Sequence, residues 1–102
     1  GFIQNGGTGT TQPDAIGLFD FTVATAPVAV DVFSYEGSVT TAGITGVTGT
    51  FSFVEGTGHP TGDTAAASPA PVEGMSRIPN GRDTGANSTD FALRTVTPGA
   101  AN

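Results

Sequence analysis

The sequence predicts an all-β protein, a sandwich or barrel of short antiparallel strands joined by long Gly- and Thr-rich loops. Three observations lead there. Apolar and polar residues alternate in several short runs, the period of a half-buried strand. Gly and Pro, 16 and 7 of 102 residues, break every window before helical spacing is sustained. The 36% hydrophobic content is lean, yet Thr, Val and Phe recur throughout, and chains that stay disordered lack such β-forming residues. A chain of this length has material for one core, so residues 1–102 are expected to form one domain.

The first predicted strand is AIGLFDF (15–21), with Ile16 and Leu18 on one face and Phe19 and Phe21 on the other. VAVDVFSY (28–35) follows, setting Val28, Val30 and Val32 against Phe33 and Tyr35. GTFSFVE (49–55) alternates Phe51 and Phe53 with small polar residues and predicts a third strand. EGMSRIP (73–79) and TDFALRTV (89–96) predict two more. Phe19, Phe33, Phe51, Phe53, Phe91 and Leu93 are the expected core, with Met75 and Ile78 beside them. Two loops are long. In residues 37–49 Gly43, Gly46 and Gly49 recur every third position, but without Pro they do not make a collagen repeat. Residues 56–74 are small, polar and Pro-punctuated, the composition of an exposed excursion.

Charge excludes several classes of function. Nine acids face three arginines, for a net charge of −6, and no Lys or Arg precedes Arg77. Binding a nucleic-acid backbone, or an anionic membrane surface, needs clustered cations that this chain does not have. No direct nucleic-acid binding and no membrane insertion are therefore expected; no run approaches a spanning helix in length. With no Cys there are no disulfides, thiolate chemistry or Cys-based zinc. No charged segment precedes an apolar stretch, so a secretion signal, if there is one, is expected on a longer precursor.

Motifs for catalysis are thin. His59, the sole His, could act as a base with Asp63 as its orienter. Its Gly- and Pro-flanked loop lacks the rigid neighbours such a base requires. GGTGTT (6–11) has the glycines of a phosphate loop but no Lys and no strand–helix context. No Ser lies in a nucleophile elbow. Asp83, Asn87 and Asp90 in DTGANSTD (83–90) are the candidate calcium ligands. They do not follow the alternation of an EF-hand loop, and such residues also form Asx-turns. No cofactor is otherwise expected, and the chain is expected not to be an enzyme. NST (87–89) fits the glycosylation acceptor pattern at Asn87.

SRIPNGRDTGANSTDF (76–91) holds two of the three arginines. Asn80-Gly81 predicts a two-residue hairpin turn. Arg77, Arg82 and Arg94 are expected to pair with acids on neighbouring strands or to brace loop carbonyls. The competing role is an arginine that grips an acidic ligand.

Residues 76–102 resemble the closing segment of bacterial lamin-tail-like domains, which runs S-x-x-R-x-P-D-G-x-D-T, then D-F, then T-P-G-A-x-N. Arg77 falls one position early, and Asn80 stands where Asp is usual. FIQNGGTGTTQPDAIGLFD (2–20) and VDVFSYEG (30–37) are similar to the family's QNG and SYEG segments, so the likeness covers nearly the whole chain. It implies an immunoglobulin-like β-sandwich found as an extracellular module of secreted or surface-attached bacterial proteins. Some of those are nucleases or phosphatases, whose catalytic residues lie in another domain; others are adhesion or matrix proteins. The family's opening strands have no counterpart here, so the sandwich is expected to be incomplete at its N-terminus. Three origins are open: a cut precursor whose other piece stays bound, a neighbouring subunit that donates strands, or a trimmed fold with GFIQNGG as an edge strand.

The expected function is thus a non-catalytic extracellular structural or adhesive module. It would act by assembly with another chain or subunit that supplies strands. The alternatives are an accessory domain of a secreted nuclease or phosphatase, or a carbohydrate-binding module. The last is disfavoured because Tyr35 is the sole Tyr and Trp is absent.

Overall fold

The structure is a computed structural model and describes residues 13–60 and 73–101. Its elements are β1 (Asp14–Asp20), β2 (Val28–Tyr35), β3 (Glu73–Arg77), a one-turn helix α1 (Asn87–Asp90) and β4 (Phe91–Thr95). They form two antiparallel pairs, β1–β2 and β3–β4. The described residues are thus strand-rich with almost no helix, as the alternation predicts.

β1 pairs with β2 from Asp14↔Tyr35 to Asp20↔Val28, with a bulge between Leu18 and Phe19 that leaves Val30 unpaired in register. The turn after β1 closes locally. The Asp20 carboxylate accepts the Thr22 N–H at 2.7 Å and the Thr22 hydroxyl at 2.6 Å, which holds its pKa below the usual carboxylate value. β3 pairs with β4 with Met75 opposite Leu93 and Arg77 opposite Phe91.

Two expectations are corrected. Asn80-Gly81 does not join the two strands directly. The Arg82 N–H bonds the Pro79 carbonyl at 2.9 Å, and Gly81 takes the positive φ of 76° that this turn needs. The chain then runs on to Asp90 before pairing resumes at Phe91, because the buried Asp90 carboxylate gathers the loop around itself. Residues 49–55 are likewise not a strand. Phe51 exchanges one reciprocal pair of bonds with Ala42, at 2.8 and 3.0 Å, and Phe53 N–H reaches Val39 O at 2.9 Å. Beyond Phe53 the Ser52 hydroxyl bonds locally to the backbone of Val54, so no ladder forms.

The alternation of Phe51 and Phe53 still has its consequence. Both rings meet Phe19 edge-on, with centroids 5.6 and 5.1 Å away. Gly17 lies beneath this cluster: a Cβ there would be 2.5 Å from the Phe19 ring and 3.0 Å from Phe53. On the opposite face of the hairpin, Phe33 stacks on Phe91 at 4.0 Å and on Tyr35 at 5.4 Å. The Arg77 guanidinium lies 4.6 Å above the Phe91 ring. Each such contact contributes on the order of 1 kcal/mol.

The predicted core residues are all only half-buried. Among the described residues the buried hydrophobics are Val32 and Tyr35, whereas Ser34, Glu36, His59, Asn87 and Asp90 are buried polar groups. The interior is a polar seam flanked by two aromatic clusters.

Candidate functional site

The outer edge of β2 is closed by groups distant in sequence. Asn87 Nδ2 donates to the Val32 carbonyl at 2.9 Å, and Asn87 Oδ1 accepts the Ser34 N–H at 3.0 Å. One side-chain amide thus occupies the place of a neighbouring strand. The same Oδ1 accepts the Glu55 N–H at 3.2 Å. Backbone bonds from Asn87 to Glu55 O and from Ser88 to Thr57 O, both 2.9 Å, hold the amide there. Further along, His59 N–H bonds Ser34 O at 2.8 Å and Gly37 N–H bonds His59 O at 3.1 Å. The Ser34 hydroxyl donates to Gly37 O and accepts the Val39 N–H, tying down the turn beyond.

Asp90, with no exposed side-chain surface, is the second anchor. Its carboxylate accepts the Thr84 N–H at 2.7 Å, the Thr84 hydroxyl at 2.8 Å and the Ala86 N–H at 3.4 Å. Arg82 Nε lies 3.2 Å away. Burial alone would raise the pKa of Asp90, but the bonds from Thr84 and Ala86 and the charge of Arg82 outweigh it and hold the carboxyl below its ordinary value.

These contacts place the sequence-predicted candidates. Asn87 and Asp90 direct their oxygens at N–H and O–H donors of the protein, while the exposed Asp83 accepts the Gly85 N–H at 3.1 Å in an Asx-turn. No group of three or more His, Asp or Glu is arranged to hold a metal among the described residues. Asn87, fully buried, does not offer its amide to a glycosylating enzyme. His59 is buried and serves the edge through its backbone; Asp63 lies outside the described residues. Arg77 bridges from β3 to Asp31 on β2 at 2.6 Å and braces Arg82 O at 2.6 Å, with Asp83 at 3.6 Å. Arg94 bonds the adjacent Leu93 carbonyl. Glu55 sits among acids: burial first, then Asp83 and Asp31, raise its pKa above the usual value against the pull of Arg77.

The other edge of the hairpin is different. Ser34 and Val32 turn their backbone groups away from β1, so their register partners Ala15 and Gly17 turn theirs away from β2. Among the described residues nothing bonds to those outward groups. One face beside this edge carries Ile16 and Leu18, 46% and 62% exposed. On the other face a cleft of about 320 Å³ opens between Gly17, Phe19, Phe21, Gly43, Ile44 and Phe53. Val28 and Val30, also exposed, extend the apolar surface along β2. The sequence marked 15–21 and 28–35 as strand-forming and 37–49 as a loop, and it led to the expectation that strands come from outside, but it did not single out the β1 edge.

No protein family, curated protein or solved structure matches this chain.

Proposed function

We propose that this chain is a non-catalytic structural or adhesive module that acts by assembly, receiving a strand from another protein chain along the outer edge of β1. The observation that carries this reading is the edge itself. Two residues present backbone donors and acceptors that have no partner among the described residues, between an exposed apolar face and an aromatic-walled cleft. An apolar strand edge of this kind is a template for strand addition. The resemblance to bacterial lamin-tail-like domains supports the same reading, with an immunoglobulin-like sandwich as the finished fold and the cell exterior as its location. Asn87, Asp90, Arg77 and Arg82 are committed to the fold, so recognition is assigned to the β1 edge and the surfaces beside it.

The test is the assembly state of the native material, by intact mass with size exclusion. A held second polypeptide or a defined larger assembly is the expected result. A well-folded monomer of 10.1 kDa with no associated chain would overturn the proposal.

A further inference from the structure

We infer that the strand received at β1 is cationic: an extended segment of a different chain that alternates Lys or Arg with apolar residues, one large apolar side chain seating in the Phe19–Phe53 cleft. This rests on the reading of the chain as an assembly module and names the partner's chemistry.

Charge decides the polar half of that pattern. The open edge runs between Asp14 and Asp20, with Asp31 opposite Leu18. No Lys or Arg occurs anywhere before Arg77. Arg77 and Arg82 are occupied by Asp31 and Asp90, on the far side of the hairpin's sealed edge or across its Phe33 face. A strand lying along β1, in a chain of net charge −6 where Arg77 offsets only the charge of Asp31, therefore enters a net negative field, and basic side chains are favoured in both approach and register. A second copy of this chain fits poorly. Two β1 edges laid antiparallel would bring Asp14 of one copy towards Asp20 of the other, and like charges facing each other across strands are destabilising. The chain also has no free basic strand of its own, since its arginines lie in β3, β4 and the segment between them.

Shape decides the apolar half. Side chains of an added strand alternate between its two faces. Those on the Gly17 face meet the cleft between Phe19, Phe21, Ile44 and Phe53, whose Phe19 and Phe53 rings close over Gly17 because it has no Cβ. Side chains on the other face lie against Ile16 and Leu18 and, at the rim, reach the carboxylates.

The test uses the full chain and a short synthetic peptide alternating Lys with Val around a central Phe. Three further peptides accompany it: one with Glu for Lys, one with Ala for Phe, and one with a central Pro. The expected results are saturable binding of the Lys peptide, slowed hydrogen exchange at Ala15 and Gly17, and affinity weakened roughly tenfold or more by high salt. The Ala and Pro peptides should bind roughly tenfold more weakly or not at all. If the Glu peptide binds as well as the Lys peptide, the cationic assignment is overturned while strand addition at β1 stands. If no peptide binds and native material is still assembled, the β1 site is wrong but the assembly reading survives. Absence of both binding and assembly removes the two together.

Discussion

The two edges of the β1–β2 hairpin were built from the same kind of sequence and finish differently. β2 ends against Asn87 and His59, which satisfy Val32 and Ser34 with bonds of 2.8–3.0 Å. Along β1 no described residue takes that place, and Ile16 and Leu18 are exposed. Alternating apolar residues alone do not finish a sheet, because backbone groups at the edge require partners that side-chain burial does not supply. Here the Asn87 carboxamide and the His59 backbone provide them on one side. The stability of the fold should therefore lie at the closed edge and recognition at the open one.

The largest expected effect is at Asn87. Asn87→Ala strands the Val32 carbonyl and the N–H groups of Ser34 and Glu55, a loss of about 3 kcal/mol or more. For a domain of this size that lowers Tm by roughly 15 °C, measurable by thermal denaturation. Asn87→Asp sharpens the point: it keeps the acceptor for Ser34 but turns an oxygen on the Val32 carbonyl, so it should fail to restore the wild-type Tm. A variant at Asn87 that melts like the wild type would break the contrast between the edges.

Arg77→Ala comes next. It removes the bond to Asp31, the brace on Arg82 O and the stacking on Phe91. Asp31 is 46% exposed, so solvent screens the ion pair, and the whole loss is about 1–2 kcal/mol. Denaturant titration should show the shift without loss of peptide binding at β1.

Smaller effects follow pH, with opposite signs at two carboxylates. Asp90 binds its proton more weakly when folded than when unfolded. Its contribution is present above the ordinary Asp range and is lost as pH falls through its lowered folded pKa. Glu55 has a raised folded pKa, so the folded state favours its protonated form and that advantage is lost as pH rises through the raised value. Glu55→Gln should consequently raise Tm at neutral pH, with the gain shrinking as the medium becomes acidic enough to protonate Glu55. A gain that instead grew in acid would mean that burial and the neighbouring carboxylates do not act on Glu55 as the geometry indicates.

Ala15→Pro should have the least effect on stability, within about 0.5 kcal/mol, because the N–H it removes points away from β2. Assembly, or peptide binding at β1, should nonetheless be lost. A large fall in Tm with this variant would show that the Ala15 N–H already has a partner within the chain.

Much of the strand pattern was legible from alternation: 15–21 and 28–35 lie within a residue of β1 and β2, and 73–79 and 89–96 contain β3 and β4. Met75 and Leu93, both read as inward, are register partners. Arg77 and Arg82 also meet the acids and carbonyls expected of them. Residues 49–55 misled because Phe51 and Phe53 have strand periodicity while the backbone around them forms only one bridge. Asn87 was legible only as part of short local motifs, a glycosylation pattern and a string of candidate calcium ligands. Its partners Val32, Ser34 and Glu55 lie 32 to 55 positions away, and nothing local encodes such a separation.

The sequence by itself determined what depends on composition and on neighbours along the chain: the strand period, the turn residues, the net acidic charge and the lack of thiols. Tertiary structure alone decided which edge is closed and which polar groups are buried. A hydrogen bond requires a donor and acceptor about 3 Å apart, and that proximity arises only when segments 13–60 and 73–101 pack together.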